Sequence, residues 1–270
     1  MAARPRSSRA LAEYLYIDSH CHLDRYPRPL QVLEGARAAH VQVLAVTELP
    51  SLYQRTALRL GRRAGVELAL GMHPLRAQLA TALELTLFTR LLDRADFVGE
   101  VGLDGSRDGH SSLREQRKVF AHLLEQPRIR GKVLTVHSRG AEAETIERLA
   151  DARVTAILHW YSGALGHIDT ALDAGFYFSV NMAMLRSRSG LRVLAALPPD
   201  RVVSETDGPY TKIAGRASQP SDIPQTVLAL SRTWNEEPDH ARARICATMA
   251  ALTQQARRGG DAAPSTSRGG

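Results

Sequence analysis

Eight short β-rich runs alternate with helix-patterned segments along this 270-residue chain, and five of the runs lead directly into a histidine or an acid. The runs centre on Ile17, Leu44 to Val46, Leu68 to Leu70, Val98, Leu134 to Val136, Ala156 to Leu158, Tyr177 to Ser179 and Val202 to Ser204. Strand–helix alternation implies parallel pairing, because each helical crossover returns the chain to the same end of the sheet. Eight such units suit a closed α/β barrel of one domain, a fold of roughly 250 residues. Active sites of such barrels sit at the rim where the strands end. His20, His22, Glu100, His137, His159 and Asp207 all fall there.

Between the runs, the spacing of Leu30, Leu33 and Ala36, of Leu83, Leu87 and Leu91, of Val119 and Leu123, and of Ile146 and Leu149 fits helices of an outer ring. Gly65, Gly131 and Gly175 precede strands and are expected in left-handed caps. Pro198 and Pro199 stop a helix before the last strand. Residues from about 221 to 255 read as helical, with a fresh start at Pro238.

No apolar run approaches the roughly 20 residues of a membrane helix, and the Arg-bearing start lacks the apolar segment of a secretory signal. Only two cysteines occur, Cys21 and Cys246, so no disulfide framework is expected and a cytoplasmic location fits. Cys21 lies between two histidines but on the opposite face of the strand, a packing position. The net charge of +7 invites a nucleic-acid reading. Its location weakens that inference. Arg4, Arg6 and Arg9 against Glu13, and Arg257, Arg258 and Arg268 against Asp261, put four of the seven net charges at the two ends. Residues 1–15 read as a disordered basic extension, 16–256 as the barrel, and 257–270 as a disordered tail.

The rim residues have a common chemistry. His20 and His22 stand two apart, so one extended segment turns both imidazoles to the same side. Glu100 ends the buried run Phe97 to Gly99, where an uncompensated charge is costly and a cation would stabilise it. A structural salt bridge is the plain alternative. Either His137 or His159 alone is more often a packed core histidine, but together with Glu100 they can form a second cation site. Asp207, after the eighth strand, lies beside the first in a closed barrel and so beside His20 and His22. A carboxylate bridging two cations about 4 Å apart would activate a water, with Asp207 orienting it or taking its proton. His73 follows the third strand and is a candidate substrate contact; Arg139 suits phosphate, though a loop salt bridge serves equally. His40, His110, His122, His167 and His240 receive no metal role.

Six segments, Asp18 to Asp24, Gly71 to Pro74, Val98 to Asp104, His137 to Arg139, His159 to Gly163 and Glu205 to Pro209, resemble those of the TatD-like metal-dependent hydrolases, in that family's order. The resemblance implies a TIM (β/α)8 barrel of the amidohydrolase-like superfamily and a deoxyribonuclease acting mainly from 3′ ends with two divalent ions. Magnesium or manganese is implied, with zinc as an option. His20, His22, Glu100 and Asp207 would hold one ion, Glu100, His137 and His159 the other, with Glu100 and Asp207 catalytic and His73 and Arg139 near the scissile phosphate. The segments Val43 to Thr47, Gly102 to Ser106, His137 to Arg139, His159 to Gly163 and Ser179 to Leu185 are also similar to the TatD-type nuclease of the Qat anti-phage defence system. That likeness implies other Qat proteins as partners and phage DNA or a nucleotide-modified product as substrate. The segment Ile245 to Leu252 departs from the family's usual C-terminal helix.

Two other readings compete. A small-molecule amidohydrolase or deaminase can use the same barrel and ligands, since a fold does not fix its substrate. A non-catalytic recognition subunit is disfavoured by the complete ligand set. Aromatic residues make up only 5%, few stacking platforms for single strands, so recognition of base sequence is not expected.

Overall fold

A computed structural model describes residues 14–61 and 63–261. Eight parallel strands run in chain order around one sheet: β1 (Tyr16–Cys21), β2 (Val41–Ala45), β3 (Val66–Leu70), β4 (Phe97–Gly102), β5 (Val133–His137), β6 (Thr155–Leu158), β7 (Tyr177–Val180) and β8 (Val202–Ser204). Their near-continuous apolar composition follows from burial on both faces. Val43, Val98, Leu134, Ile157, Phe178 and Val203 are all shielded from solvent. Helices α1 (Pro29–Ala38), α2 (Pro50–Leu60), α3 (Ala82–Leu92), α4 (Leu113–Leu124), α5 (Glu142–Ala152) and α6 (Ile168–Asp173) carry the first six crossovers. After β7 come two shorter helices, α7 (Met182–Leu185) and α8 (Arg188–Ala195), and α9 (Ile223–Trp234) and α10 (Pro238–Asp261) complete the chain after β8. The fold is the expected TIM-type barrel.

Polar groups hold the last strand to the first. Asp18 on β1 accepts from the Thr206 amide at 2.9 Å and the Thr206 hydroxyl at 2.5 Å, and Ser204 donates its hydroxyl to the Ile17 carbonyl at 2.7 Å. Two backbone bonds extend the seam into the rim, Asp207 amide to His20 carbonyl and His22 amide to Gly208 carbonyl, each 2.9 Å. His20, His22 and Asp207 are therefore fixed to one another through the main chain.

Two expectations change. Gly65 and Gly175 have positive φ, at +77° and +81°, but Gly131 does not. It lies in a 3-10 turn, Ile129–Gly131, where a Cβ would strike the Gly259 backbone of α10, so its role is close helix packing. The final helix also passes the expected boundary at 256 and runs to Asp261, tied by an Arg257–Glu67 ion pair at 3.0 Å. At the other end, the Leu15 amide already bonds the His40 carbonyl, whereas residues 1–13 and 262–270 lie outside the described residues. Cys21 is buried, as its strand face requires. Among the described residues no helix is long and apolar enough to cross a membrane.

Candidate metal centre

His22, Glu100, His137, His159 and Asp207 line a cavity of about 600 Å³ whose walls are the loops after the strands, and the sixth rim residue, His20, lies against Glu100 without lining it. Glu100 lies at the centre, almost wholly buried, and its two oxygens face different partners. Oε1 stands 2.8 Å from His137 Nδ1 and 3.1 Å from His159 Nε2. Oε2 stands 3.0 Å from His22 Nε2 and 3.5 Å from His20 Nε2. Asp207 Oδ1 approaches the same two nitrogens at 3.6 and 3.8 Å. Asp207 and the following loop are turned inward by a left-handed backbone (φ +50°), a conformation that acidic residues adopt more readily than most. Trp160, directly after His159, has φ +39°, which is strained for so bulky a residue.

Whether a cation fits can be judged from what these atoms lack. His20 Nε2, His22 Nδ1, Glu100 Oε2, His159 Nδ1 and Asp207 Oδ1 are buried without a hydrogen-bond partner. Such atoms are individually expensive, and they gather where nitrogen and oxygen donors already lie 3 to 4 Å apart. Nitrogen and carboxylate donors on one point suit a divalent metal. His20, His22 and Asp207 can offer one donor each within 4.8 Å of one another, as can His20, His159 and Glu205.

The far nitrogens of His20 and His137 are engaged by groups that orient the rings, the arrangement that fixes histidine tautomers in metal sites. Thr135 Oγ1 meets His20 Nδ1 at 2.7 Å, and Asp104 Oδ2 meets His137 Nε2 at 2.7 Å. Glu205 lies 3.5 Å from His159 Nδ1 and is itself held by Ser179 at 2.5 Å and Asn181 at 2.9 Å. His73 differs. Its Nδ1 accepts from the Leu75 amide at 3.1 Å, so the neutral ring carries its proton on Nε2, 3.3 Å from Glu100. Although His73, Glu100 and His137 are close enough to share a cation, that tautomer makes His73 a donor, with its Nε2–H beside Glu100 at the cavity wall.

Burial and charge compete throughout the cluster. Burial would raise the Glu100 carboxyl, but His73, His159 and His137 hold it well below the usual range. Burial disfavours charge on His137 and His159 too, yet the carboxylates of Asp104 and Glu100, and of Glu100 and Glu205, raise both. His20 stacks on His159 with centroids 3.9 Å apart, and burial followed by that neighbour lowers it to about 4. Burial pushes Asp207 up to about 7. A divalent cation must displace the protons on the raised imidazoles. Cation uptake is therefore expected to release about one proton or more per ion and to weaken as pH falls. Titration calorimetry in buffers of different ionisation enthalpy measures the release, and pH-independent affinity would contradict it.

Sequence reasoning placed His20, His22, Glu100, His137, His159, Asp207 and His73 in segments that the fold brings together. Arg139 also borders the cavity, but its side chain is 61% exposed and, among the described residues, pairs with Asp108 at 3.4 Å. Asp104, Glu205 and Glu48 went unassigned. The first two lie in segments already noted for other residues, and their position within two residues of the ends of β4 and β8 is the available signal.

A family model described as TatD related DNase matches residues 17–253. An uncharacterized metal-dependent hydrolase named TatD from Mycobacterium tuberculosis is 30% identical over 244 residues, covering 83% of this chain and 92% of that one. The human deoxyribonuclease TATDN3 is 30% identical over 212 residues, covering 72% and 77%. In three dimensions the crystal structure of YjjV, a TatD homologue of Escherichia coli K12, superposes with a TM-score of 0.80 at 22% identity, covering 88% of this chain and 97% of that one.

Proposed function

The chain belongs to the TatD related DNase family and is a metal-dependent hydrolase, and from that premise we propose that it cleaves phosphodiester bonds at the 3′ ends of DNA with two divalent ions, magnesium or manganese. The observation that carries this reading is the division of Glu100, whose Oε2 serves His20, His22 and the Asp207 side while Oε1 serves His137 and His159. Ions held there would supply a water acidified toward neutrality and charge against a phosphoryl oxygen. Asp207 Oδ1, unpartnered and with a carboxyl near 7, is suited to accept the attacking water's proton. His73 Nε2–H can donate to a phosphoryl oxygen, and the exposed Arg139 can reach a neighbouring phosphate.

The wild type should shorten a 3′-labelled oligonucleotide with magnesium or manganese, and Asp207→Asn should not. Intact DNA under every cation tested, with turnover of amides or nucleobases instead, would favour the small-molecule amidohydrolase or deaminase reading. The segments Val43 to Thr47 and Ser179 to Leu185 support a finer proposal: phage DNA or a nucleotide-modified product as substrate, handled in the cytoplasm with other Qat components.

A further inference from the structure

One charged cluster beside the metal centre has no part in holding a cation. Glu48, just after β2, is a buried carboxylate whose side chain is only 5% exposed, and three loops send donors to it. Arg25, from the turn after β1, donates Nε to Oε1 at 2.9 Å and also pairs through its terminal nitrogen with Oε2. Arg76, from the turn after β3, donates Nε to Oε2 at 2.7 Å. Tyr210, after β8, donates its hydroxyl to Oε1 at 3.0 Å, and its ring packs edge-on against His22 with centroids 4.9 Å apart.

These contacts fill the roughly four lone-pair positions of one carboxylate, so Glu48 has no capacity left for a further donor. Two guanidiniums share the Glu48 carboxylate, with the Asp24 carboxyl also acting on Arg25, so Glu48 alone does not neutralise Arg76. The burial of Glu48 opposes ionisation, yet the Arg76 and Arg25 contacts hold its carboxyl below the usual range, so the pairing is fully ionic. Arg76 commits only its Nε among the described residues, borders the cavity that contains Glu100, and is 41% exposed. Its two terminal nitrogens form a planar fork held in one orientation, the geometry that matches a phosphate bidentately.

Resting on the nuclease reading above, we propose that Arg76, positioned by Glu48, is an anion subsite of the cavity that holds a phosphate of the DNA strand other than the one being cleaved. Arg25 and Tyr210 complete the support: Arg25 shares the carboxylate so that Arg76 is not neutralised, and Tyr210 ties the same carboxylate to the His22 side of the metal centre.

The test compares Arg76→Ala, Arg76→Lys and Glu48→Gln with the full-length wild type on a short oligonucleotide and on bis(p-nitrophenyl) phosphate, which carries a single phosphate. Arg76→Ala should reduce kcat/KM on the oligonucleotide about 10- to 100-fold, the loss of one charge-assisted contact, and the loss should lie in KM. The loss on the one-phosphate diester should be at least about ten-fold smaller, and the salt dependence of KM for DNA should fall by about one counterion. Arg76→Lys keeps the charge without the fork and should recover part of the loss. Glu48→Gln should raise KM in the same direction. Glu48 retains Arg25 and Tyr210 when Arg76 is removed, so the variant is expected to fold, and its melting temperature checks this. Equal losses on both substrates, a loss confined to kcat, or no loss would each overturn the subsite while leaving the nuclease reading intact. A wild type that cleaves neither phosphodiester would sink that reading and the subsite with it.

Discussion

Glu100→Gln is expected to lower cation-dependent hydrolysis by about three powers of ten or more while the barrel stays folded. An amide offers one oxygen acceptor where the carboxylate offers two, so it cannot serve both His22 and His137 sides of the centre. Loss of that bridging charge removes the several kcal/mol of transition-state stabilisation that a metal site supplies, each 1.36 kcal/mol being about ten-fold in rate. Folding is expected to survive because the change removes one buried charge while Asp104 and Glu205 still face His137 and His159. Cation binding should disappear with the activity. A cation at about 100 times its dissociation constant stabilises the native state by roughly 2.7 kcal/mol, about 5 to 10 °C in melting temperature for a chain this long. The wild type should show that shift with manganese, and Glu100→Gln should show little of it. A variant with wild-type turnover, or with the full thermal shift, would mean that Glu100 does not bridge the ions.

Gly102→Ala should be the most damaging small change to the scaffold of the site. Gly102 ends β4 at φ +133°, a region that side chains rarely adopt, and an added Cβ would lie 2.0 Å from the His137 carbonyl oxygen. That oxygen accepts the Leu103 amide at 3.0 Å, so β4 and β5 are in contact where Glu100 and His137 must meet. Backbone strain and overpacking together are expected to destabilise the protein by about 3 to 5 kcal/mol. Urea unfolding followed by circular dichroism measures the loss. A change under about 1 kcal/mol would show that the two strands can separate there without penalty. Any folded Gly102→Ala protein should also bind cations more weakly, since β5 would carry His137 away from Glu100.

Much of the architecture is legible in the residues because it depends on local burial. Runs such as Val133 to Val136 and Ala156 to Leu158 are apolar on both faces, a pattern suited to parallel strands covered by helices, and all eight expected strands are observed. Gly131 was harder to read. Its position before β5 suggested a left-handed cap, but the residue that requires a glycine there is Gly259, on a helix 128 residues later in the chain. The end of α10 was misplaced for a similar reason. Arg257 belongs to a polar, Gly-rich stretch by composition, but it is held in the helix by Glu67 from β3.

The alternation of strands and helices, and the placing of His20, His22, Glu100, His137, His159 and Asp207 after strands, are legible in the residues because side-chain periodicity and strand ends are properties of neighbouring residues. Which oxygen of Glu100 faces which imidazole, and that Glu48 gathers Arg25, Arg76 and Tyr210, depends on the closed barrel. Those contacts join loops separated by as many as 162 residues. Closing the barrel brings the loop after β8 beside the loops after β1 and β2, and only then do the charges on them acquire partners.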